Sequence, residues 1–313
     1  MRLVFFGTPE FAVPTLERLA DAPGHEVVAV VSQPDRPRGR GRAVHPSPVS
    51  ALASERGIPL LRPEQVGDPE SVAALRALAP DLGVVAAFGQ FLPKAVRELP
   101  TRGYLINAHA SVLPRHRGAA PIARAILAGD VETGVSAMRV VKEMDAGPVA
   151  LVRTTPIRPD DDAGSLTARL AGIAADVIEA ALAEIATGRV HWSEQDASRA
   201  TLAPKLAPED QILHWSEPAP ALALRVRALS PAPGARTHLA GEALRILAAR
   251  AEPGPADRAA GAVRLGSDGV LRVATGDGWL VLERLQRAGG KPLDADAYLR
   301  GRPIPDGARL GEG

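Results

Sequence analysis

The chain has 313 residues, of which 46% are hydrophobic and 23% charged, with a formal net charge of +1 and no cysteine. This length predicts about two domains with a sizeable core, and the small net charge argues against a globally basic nucleic-acid-binding protein. The absence of cysteine excludes disulfides, thiolate nucleophiles and cysteine-ligated zinc. Because neither a signal-peptide pattern nor an apolar run of membrane-spanning length occurs, we expect a cytoplasmic protein that does not contact a membrane.

The first part of the chain alternates strands and helices. Apolar runs at 2–6 and 26–32 predict strands, and the amphipathic segment 11–21 between them predicts a helix. This order predicts the α/β class, with a doubly wound, mostly parallel, Rossmann-like sheet. A nicotinamide-dependent enzyme would begin in the same way, but the turn at 7–10 lacks G-x-G-x-x-G, and Pro9 lacks a backbone donor. We therefore rank that class below the alternatives.

A segment rich in arginine, proline and glycine follows the second strand. We predict a long irregular loop over 33–48, in which four arginines recur at every second position: Arg36, Arg38, Arg40 and Arg42. A loop of this length inside a compact domain is usually functional or disordered. Four guanidinium groups on such a loop suit contact with the backbone of a polyanion. The alternative, which a run of charge alone favours, is a solvated and mobile loop.

The alternation continues after this loop. Helices are predicted at 47–56, 68–79, 121–128 and 164–187, and strands at 59–61, 82–88, 104–109, 133–142 and 148–155. The run at 82–88 is continuously apolar, which is typical of a strand covered on both faces.

In the last third of the chain, the alternation of strands and helices gives way to a series of short predicted strands. Residues 189–207 predict an extended linker. After a helix near 218–229, short strands are predicted near 235–239, 243–250, 260–265, 269–274 and 278–284. Short strands separated by turn residues in this way predict a smaller C-terminal β-barrel domain of the OB type.

Two polar residues mark the end of the strand at 104–109. Asn107, the only asparagine in the chain, and His109 are two positions apart, so both side chains lie on one face of the strand. Ligands bind at the carboxyl ends of strands in open α/β sheets, and the turn at 88–93 is expected to share the same crevice. The alternative is a turn-capping asparagine beside a core histidine. Asp145 lies on a predicted turn between two strands, where an aspartate commonly bonds its own backbone.

Several motifs resemble those of the methionyl-tRNA formyltransferase family over nearly the whole chain. They lie at 7–11, 33–37, 39–41, 46–49, 107–111, 113–114, 117–122, 129–130, 133–135, 145–147, 204–206, 215–216 and 274–278. The Asn-x-His pattern with a later aspartate marks the wider folate-dependent formyltransferase superfamily. The Arg-Gly-Ala-Ala-Pro-Ile run at 117–122 and the basic loop narrow the resemblance to the members that act on tRNA.

Four places depart from the pattern of that family. His116 stands where the family usually has tryptophan, His214 where it has aspartate, and Val112 where it has leucine, while 230–233 lack a common aromatic residue. None of these departures touches Asn107, His109 or Asp145. They bear on tRNA docking and domain contacts rather than on the chemistry.

The resemblance implies transfer of the formyl group of 10-formyltetrahydrofolate to the amino group of methionine on initiator methionyl-tRNA, for the initiation of translation, without a metal. It implies a formyltransferase catalytic domain at 1–188, a linker at 189–207 and an OB-like tRNA-binding domain at 208–313. We expect a monomer whose partners are the folate and the tRNA. The arginines at 36, 38, 40 and 42 are expected to contact the acceptor stem.

The same resemblance assigns the site residues. Asn107 is expected to bond the formyl oxygen, His109 to stabilise the tetrahedral intermediate and move a proton, and Asp145 to keep the imidazole charged. The residues expected to bind the folate are Phe88, Gly89, Gln90, Phe91, Leu92, Ser111, Val112, Leu113 and Pro114. For these the alternative is a purely structural crevice wall.

Two rival functions remain at this stage. The first is another folate-dependent formyltransferase, acting on a nucleotide sugar or a phosphorylated amine, against which the basic loop and the second domain argue. The second is a non-catalytic RNA-binding protein that keeps the fold, against which the intact Asn107, His109 and Asp145 argue.

Overall fold

The structure, a computed structural model, describes residues 1–38 and 43–311. The chain forms two compact units. One consists of Met1–Pro121, Glu132–Pro156 and Thr167–Ala203, and the other of Ile122–Val131, Ile157–Leu166 and Pro204–Gly313. The domain boundaries expected from the sequence stay predictions. Within the described residues, no helix is both long enough and apolar enough to cross a membrane.

Seven strands form the sheet of the first unit. Across the sheet their order is β5 (Leu60–Leu61), β2 (Glu26–Val31), β1 (Arg2–Gly7), β6 (Leu82–Ala86), β7 (Leu105–His109), β8 (Glu132–Arg139) and β9 (Val149–Pro156). The first five are mutually parallel, whereas β8 runs antiparallel to β7 and to β9. This sheet confirms the predicted Rossmann-like fold. Its parallel strands β1, β2, β6 and β7 all end at one edge.

Helices connect and cover these strands. They are α1 (Val13–Asp21), α2 (Pro48–Glu55), α3 (Pro69–Ala77), α4 (Lys94–Arg97) and α6 (Ala163–Ala186), whereas α5 (Pro121–Leu127) falls almost wholly in the second unit. Ser47 caps α2 by accepting a hydrogen bond of 3.0 Å from the backbone N–H of Ser50, and Pro48 occupies the first helical position. All five residues of β6 are buried, as its continuous apolar run predicts for a strand inside a parallel sheet.

The arginine-rich segment after β2 is more regular than expected. Two short strands, β3 (Arg36–Arg38) and β4 (Ala43–His45), pair antiparallel within it. The prediction of an irregular loop over all of 33–48 was therefore wrong at these positions. Proline fixes φ near the value of extended backbone and is tolerated in a two-stranded ribbon with open edges, which suits Pro37. Arg40 and Arg42 lie outside the described residues.

An aspartate holds the base of the β3–β4 pair. Asp35 forms an ion pair with Arg62, which follows β5, and its other carboxylate oxygen accepts a hydrogen bond of 3.3 Å from the backbone N–H of Ser47. The Asp35 side chain is only 17% exposed. The chain entering β3 and the chain leaving β4 are therefore tied to the end of the sheet.

Besides most of α5, the second unit contains an antiparallel sheet and two further helices. Its strands are β10 (Ala235–Leu239), β11 (Glu242–Glu252), β12 (Val263–Leu265), β13 (Leu271–Ala274), β14 (Trp279–Arg287) and β15 (Leu293–Asp294), and the further helices are α7 (Ala219–Leu229) and α8 (Ala295–Gly301). The strand order is β10-β11-β14-β13-β12, with β15 paired to β14. Leu310 bridges to Leu239 of β10, and Arg309 bridges to Ala262 beside β12. Residues 309–310 thus join the two edges, and the sheet closes into the predicted small barrel.

Candidate active site

The polar pair predicted from the sequence lies at the carboxyl end of β7. His109 is the last residue of this strand and is 6% exposed, and Asn107 is partly buried two positions before it. The side-chain amide of Asn107 makes no hydrogen bond to any residue that the structure describes. An amide at this edge with no internal partner can serve a ligand without breaking a contact of the fold.

Both ring nitrogens of His109 face hydrogen-bond acceptors. Nε2 lies 2.9 Å from the backbone carbonyl oxygen of His116, and Nδ1 lies 3.5 Å from Oδ2 of Asp145. A carbonyl oxygen can only accept, so Nε2 carries a proton and donates it to this bond. A second proton on Nδ1 would point at a carboxylate. Acceptors on both sides of the ring therefore fix its orientation.

Asp145 is held by a loop that is distant in the sequence. Its Oδ2 accepts a hydrogen bond of 2.8 Å from the backbone N–H of Gly118. The alternative role, an aspartate that only bonds its own turn, is therefore not the one observed. Asp145 and His116, whose groups flank the imidazole, both have left-handed backbone, with φ of 51° and 57°. Such conformations are uncommon outside glycine and cluster at functional sites.

The segment predicted as an extended linker contributes to this site. We call residues 192–203 the strap. Its backbone pairs with the loop after β7, through Arg117 N to Thr201 O at 2.9 Å and Ala203 N to Arg117 O at 2.7 Å. The hydroxyl of Thr201 accepts a hydrogen bond of 2.9 Å from the backbone N–H of His116. Nothing in the periodicity or motifs of the strap predicts these contacts, because they join residues about 85 positions apart.

The beginning of the strap is anchored to the sheet. Ser193 exchanges two backbone hydrogen bonds, of 2.8 and 2.9 Å, with Val149 of β9. The guanidinium of Arg139 lies 4.3 Å from the ring centroids of both Tyr104 and Trp192, an arrangement that adds cation–π attraction. The strap is therefore fixed to the sheet before it reaches the site.

The turn after β6 is tied to two other strand ends at the same edge. The carbonyl oxygen of Phe88 accepts hydrogen bonds from the hydroxyl of Thr8 at 3.0 Å and from the side-chain amide of Gln33 at 2.9 Å. Thr8 and Gln33 belong to two of the motifs that carry the family resemblance. Their shared structural role is to hold the turn that closes this side of the crevice.

The residues predicted to bind the folate divide into two groups. The side chains of Phe88, Leu92 and Leu113 are buried, and Phe88 and Leu92 belong to the apolar core of the first unit. Gln90 uses its amide within the fold, since its oxygen accepts from the N–H of Val66 and its nitrogen donates to Pro63. These side chains face the protein rather than open space.

The second group presents backbone atoms or exposed surface. Among the described residues, the backbone N–H groups of Gly89, Gln90 and Phe91 donate no hydrogen bond, and the Phe91 ring is 70% exposed. Gly89 has φ of 81°, and a Cβ there would lie 2.3 Å from the Gln33 amide nitrogen. The turn therefore offers backbone donors to a ligand.

The loop after β7 forms the other side of the predicted crevice. Val112 is partly buried, and Pro114 follows Leu113 through a cis peptide bond. The hydroxyl of Ser111 donates to the carbonyl of Arg115 at 2.6 Å. The side chain of Ser136 joins β8 to this loop by donating to the Ser111 carbonyl at 2.7 Å and accepting from the Leu113 N–H at 3.1 Å.

Both parts of the chain are similar to known formyltransferases. The model of the formyl transferase family matches residues 1–182, and that of the formyl transferase C-terminal domain matches 205–303. A methionyl-tRNA formyltransferase from Moorella thermoacetica is 45% identical over 312 residues, with 99% of each chain covered. The chain belongs to the methionyl-tRNA formyltransferase family. A second member, from Halorhodospira halophila, is 48% identical over 307 residues, with 98% of each chain covered.

More distantly related proteins have a similar fold. The N-formyltransferase from Helicobacter canadensis, whose structure holds folinic acid and dTDP-3-aminofucose, is 15% identical with a TM-score of 0.67, covering 91% of this chain and 98% of its own. At this identity the likeness concerns the fold. In the described part of this family member, no cluster of three or more His, Asp or Glu side chains could hold a metal ion.

Proposed function

We propose that this protein transfers the formyl group of 10-formyltetrahydrofolate to the amino group of methionine on initiator methionyl-tRNA. The observation that carries the proposal is the identity of about 45% to curated methionyl-tRNA formyltransferases over nearly the entire chain. The partly buried Asn107 and the His109–Asp145 contact, both at the carboxyl edge of the sheet, support the proposal.

The transfer requires one bond to form and one to break. The methionine nitrogen attacks the formyl carbon, the bond from that carbon to the folate nitrogen breaks, and one proton moves in net from the amine to the folate nitrogen. Negative charge develops on the formyl oxygen, and preorganised donors stabilise it. The Asn107 amide and the His109 imidazolium are the donors. Asp145, 3.5 Å from Nδ1 of His109, stabilises the imidazolium and orients it.

The formyl donor binds in the crevice between the turn at 88–92 and the loop at 111–114. Three turn N–H groups that donate no bond within the described residues, at Gly89, Gln90 and Phe91, suit acceptor atoms on the edge of a pterin ring. The exposed Phe91 ring offers an apolar face to the same ligand. The buried side chains of Phe88 and Leu92 anchor this turn in the apolar core of the first unit.

The acceptor stem of the tRNA binds the segment with arginines at 36, 38, 40 and 42. The Asp35–Arg62 ion pair and the bond from the Ser47 N–H to Asp35 tie residues 35 and 47, on either side of this segment, to the first unit. Because the whole protein carries a net charge of only +1, this local concentration of guanidinium groups supplies the attraction to phosphate.

We also infer that the protein acts in the cytoplasm, where initiator tRNA is used, and that it does so as a monomer. The site described above is assembled from one chain. Light scattering coupled to size-exclusion chromatography checks the monomer, and a mass near twice 32.6 kDa contradicts it.

The decisive experiment measures formyl transfer from 10-formyltetrahydrofolate to methionyl initiator tRNA by the wild type and by His109→Ala. We expect rapid formylation by the wild type and at least about a hundredfold loss in the variant. A parallel assay offers amino sugars and other small amines. A wild type that binds the folate and formylates only a small amine contradicts the proposed acceptor while leaving the reaction class intact.

A further inference from the structure

We propose that Gln195, in the strap, is a positioning residue for the His109–Asp145 pair. Its side-chain amide holds the turn that carries Asp145 against the loop that carries the second partner of His109. The proposal rests on the proposed function for its effect on turnover, but its structural part is independent of which amine accepts the formyl group.

All four hydrogen-bonding positions of the Gln195 amide are occupied. The nitrogen donates to the carbonyl oxygens of Asp145 at 2.9 Å and Gly147 at 2.7 Å. The oxygen accepts from Nε and Nη2 of Arg117 at 3.0 and 2.8 Å. The reversed amide would set its NH₂ group against a guanidinium and its oxygen against two carbonyls, so the partners fix a single orientation.

These contacts involve the backbone of one partner of the catalytic imidazole, Asp145, and the residue next to the other partner, His116. Asp145, whose carboxylate faces Nδ1 of His109, is itself held through its backbone carbonyl. Arg117 follows His116, whose carbonyl oxygen accepts from Nε2 of His109. One side chain therefore spans the two segments that hold the ring from opposite sides.

Besides Gln195, the Gly118 N–H holds the turn of Asp145 by its bond of 2.8 Å to the Asp145 carboxylate. A single long backbone hydrogen bond of 3.4 Å, from Ala146 N to Glu143 O, closes it, and Asp145 has an unfavourable left-handed φ of 51°. Such a residue keeps its conformation only when the surroundings enforce it. The two donors of Gln195 supply that enforcement, and the anchored start of the strap at Ser193 keeps the amide in place.

The substitutions Gln195→Glu and Gln195→Ala separate positioning from simple packing. Glutamate keeps an acceptor for Arg117 but has no proton to donate to the carbonyls of Asp145 and Gly147. Alanine removes both contacts. If only the contact with Arg117 is needed for activity, Gln195→Glu keeps the kcat of the wild type. If the hydrogen bond to the Asp145 carbonyl is needed, both variants lose kcat. Glu194→Ala, at the exposed neighbouring position, is the matched control.

The first measurement is steady-state formylation. We expect kcat to fall about ten- to a hundredfold in both Gln195 variants, with KM for the tRNA changed less than about twofold, and wild-type behaviour in Glu194→Ala. Circular dichroism and thermal unfolding verify that the variants are folded. Wild-type kcat in Gln195→Glu overturns the proposal, and so does a raised KM at unchanged kcat.

A second measurement does not depend on turnover. The ring nitrogens of His109 are followed by NMR in protein labelled at histidine, with the signals assigned from their absence in His109→Ala. We expect them to shift in both Gln195 variants and to stay in place in Glu194→Ala. Unmoved signals overturn the proposal even if activity falls. If the wild type does not formylate methionyl-tRNA, the proposed function fails, and the NMR result still decides the role of Gln195.

Discussion

The imidazole of His109 lies between two acceptors, and its neighbours determine what it can do. A carbonyl oxygen lies 2.9 Å from Nε2 and a carboxylate oxygen lies 3.5 Å from Nδ1, so an N–H at either ring nitrogen has an acceptor. An N–H donor from this ring suits an oxygen that becomes negative in the transition state. To reach a substrate the ring must give up one of these contacts. The bond of Nε2 to the His116 carbonyl is the one whose loss leaves the charge of Asp145 in place.

Asn107→Ala tests the second donor. Removing one donor to a developing oxyanion costs about 2.7–4 kcal/mol, so we expect kcat to fall by about a hundredfold or more. The fold should be unaffected, because the Asn107 amide makes no hydrogen bond to other described residues. Steady-state kinetics and thermal unfolding measure both effects. Near-wild-type turnover contradicts the role of Asn107.

Asp145→Asn and Asp145→Ala separate charge from loop support. Asparagine can still accept the hydrogen bond from the Gly118 N–H, but it no longer stabilises an imidazolium. We expect both variants to lose about a hundredfold in kcat. Only the alanine variant should unfold at a lower temperature, because it alone leaves the Gly118 N–H without an acceptor. Full activity in Asp145→Asn contradicts an electrostatic role for the aspartate.

At the scale of elements, the strap and the loop after β7 are joined by backbone hydrogen bonds and pack closely together. Gly118 lies where they approach most closely. Its φ is 129°, and a Cβ on it would lie 2.6 Å from the carbonyl oxygen of Ala203. Glycine is required there both by the backbone conformation and by the lack of space. The strap therefore depends on a residue 85 positions earlier in the chain.

Gly118→Ala should separate the strap from the loop. We expect the free energy of unfolding to fall by roughly 1–3 kcal/mol, together with a lower kcat because the N–H that binds Asp145 moves. Gly188→Ala is the control, since Gly188 has φ of 70° but no atom within 4 Å of a Cβ, so only its backbone conformation is penalised. Urea unfolding of the two variants compares them. An equal loss of stability in both contradicts the importance of the close approach.

The arginine-rich segment gives a prediction on tRNA affinity. In the double variant Arg36→Glu, Arg38→Glu we expect weaker binding of tRNA and a flatter dependence of log Kd on log salt, because fewer counterions are released from the phosphates. Turnover at saturating tRNA should change little. Filter binding at several salt concentrations measures the slope. A slope identical to that of the wild type refutes contact between this segment and the tRNA.

At the scale of the whole molecule, charge is arranged in pairs rather than as a global excess. In the second unit, Arg272 lies between Glu252 and Asp268, with contacts of 2.8 and 3.0 Å, and lowers the pKa of both carboxyl groups. Arg258 likewise lowers the pKa of Asp306. The backbone N–H of Ala207 and then Arg124 lower the pKa of Asp210.

These shifts give a dependence of stability on pH. A carboxyl group with a lowered pKa in the folded state stabilises the fold above its ordinary pKa and loses that contribution as the pH falls through the folded value. The ordinary values are 3.8 for aspartate and 4.5 for glutamate. We therefore expect the Tm reported by tryptophan fluorescence to be nearly constant from about pH 8 to pH 5 and to fall below about pH 4.

Arg272→Gln provides the control for this prediction. The variant lacks the cation that lowers two of the pKa values, so its Tm should be lower at pH 7 and should decline less between about pH 5 and pH 3 than that of the wild type. High salt weakens exposed pairs and should reduce the difference. Equal acid sensitivity of variant and wild type contradicts the role of Arg272.

The regular elements could be predicted because their signals are local. The continuous apolar run that became β6, the proline and serine at the start of α2, and the alternation of strands and helices depend on neighbours a few residues apart. The same local reasoning was wrong for part of 33–48, where a short antiparallel pair forms. It also did not predict β15 and α8, which are short elements of two and seven residues.

The sequence by itself determined the family, the class of each domain and the proximity of Asn107 and His109, because strand periodicity places residues i and i+2 on one face. The family resemblance paired Asp145 with His109, and the tertiary structure brings the two side chains to 3.5 Å across 36 positions. Tertiary structure alone decided that the segment predicted as a linker contributes to the site. It also decided that Gln195 bonds both flanking segments. The reason is physical: a hydrogen bond between distant segments depends on how the whole chain packs, and no local pattern encodes it.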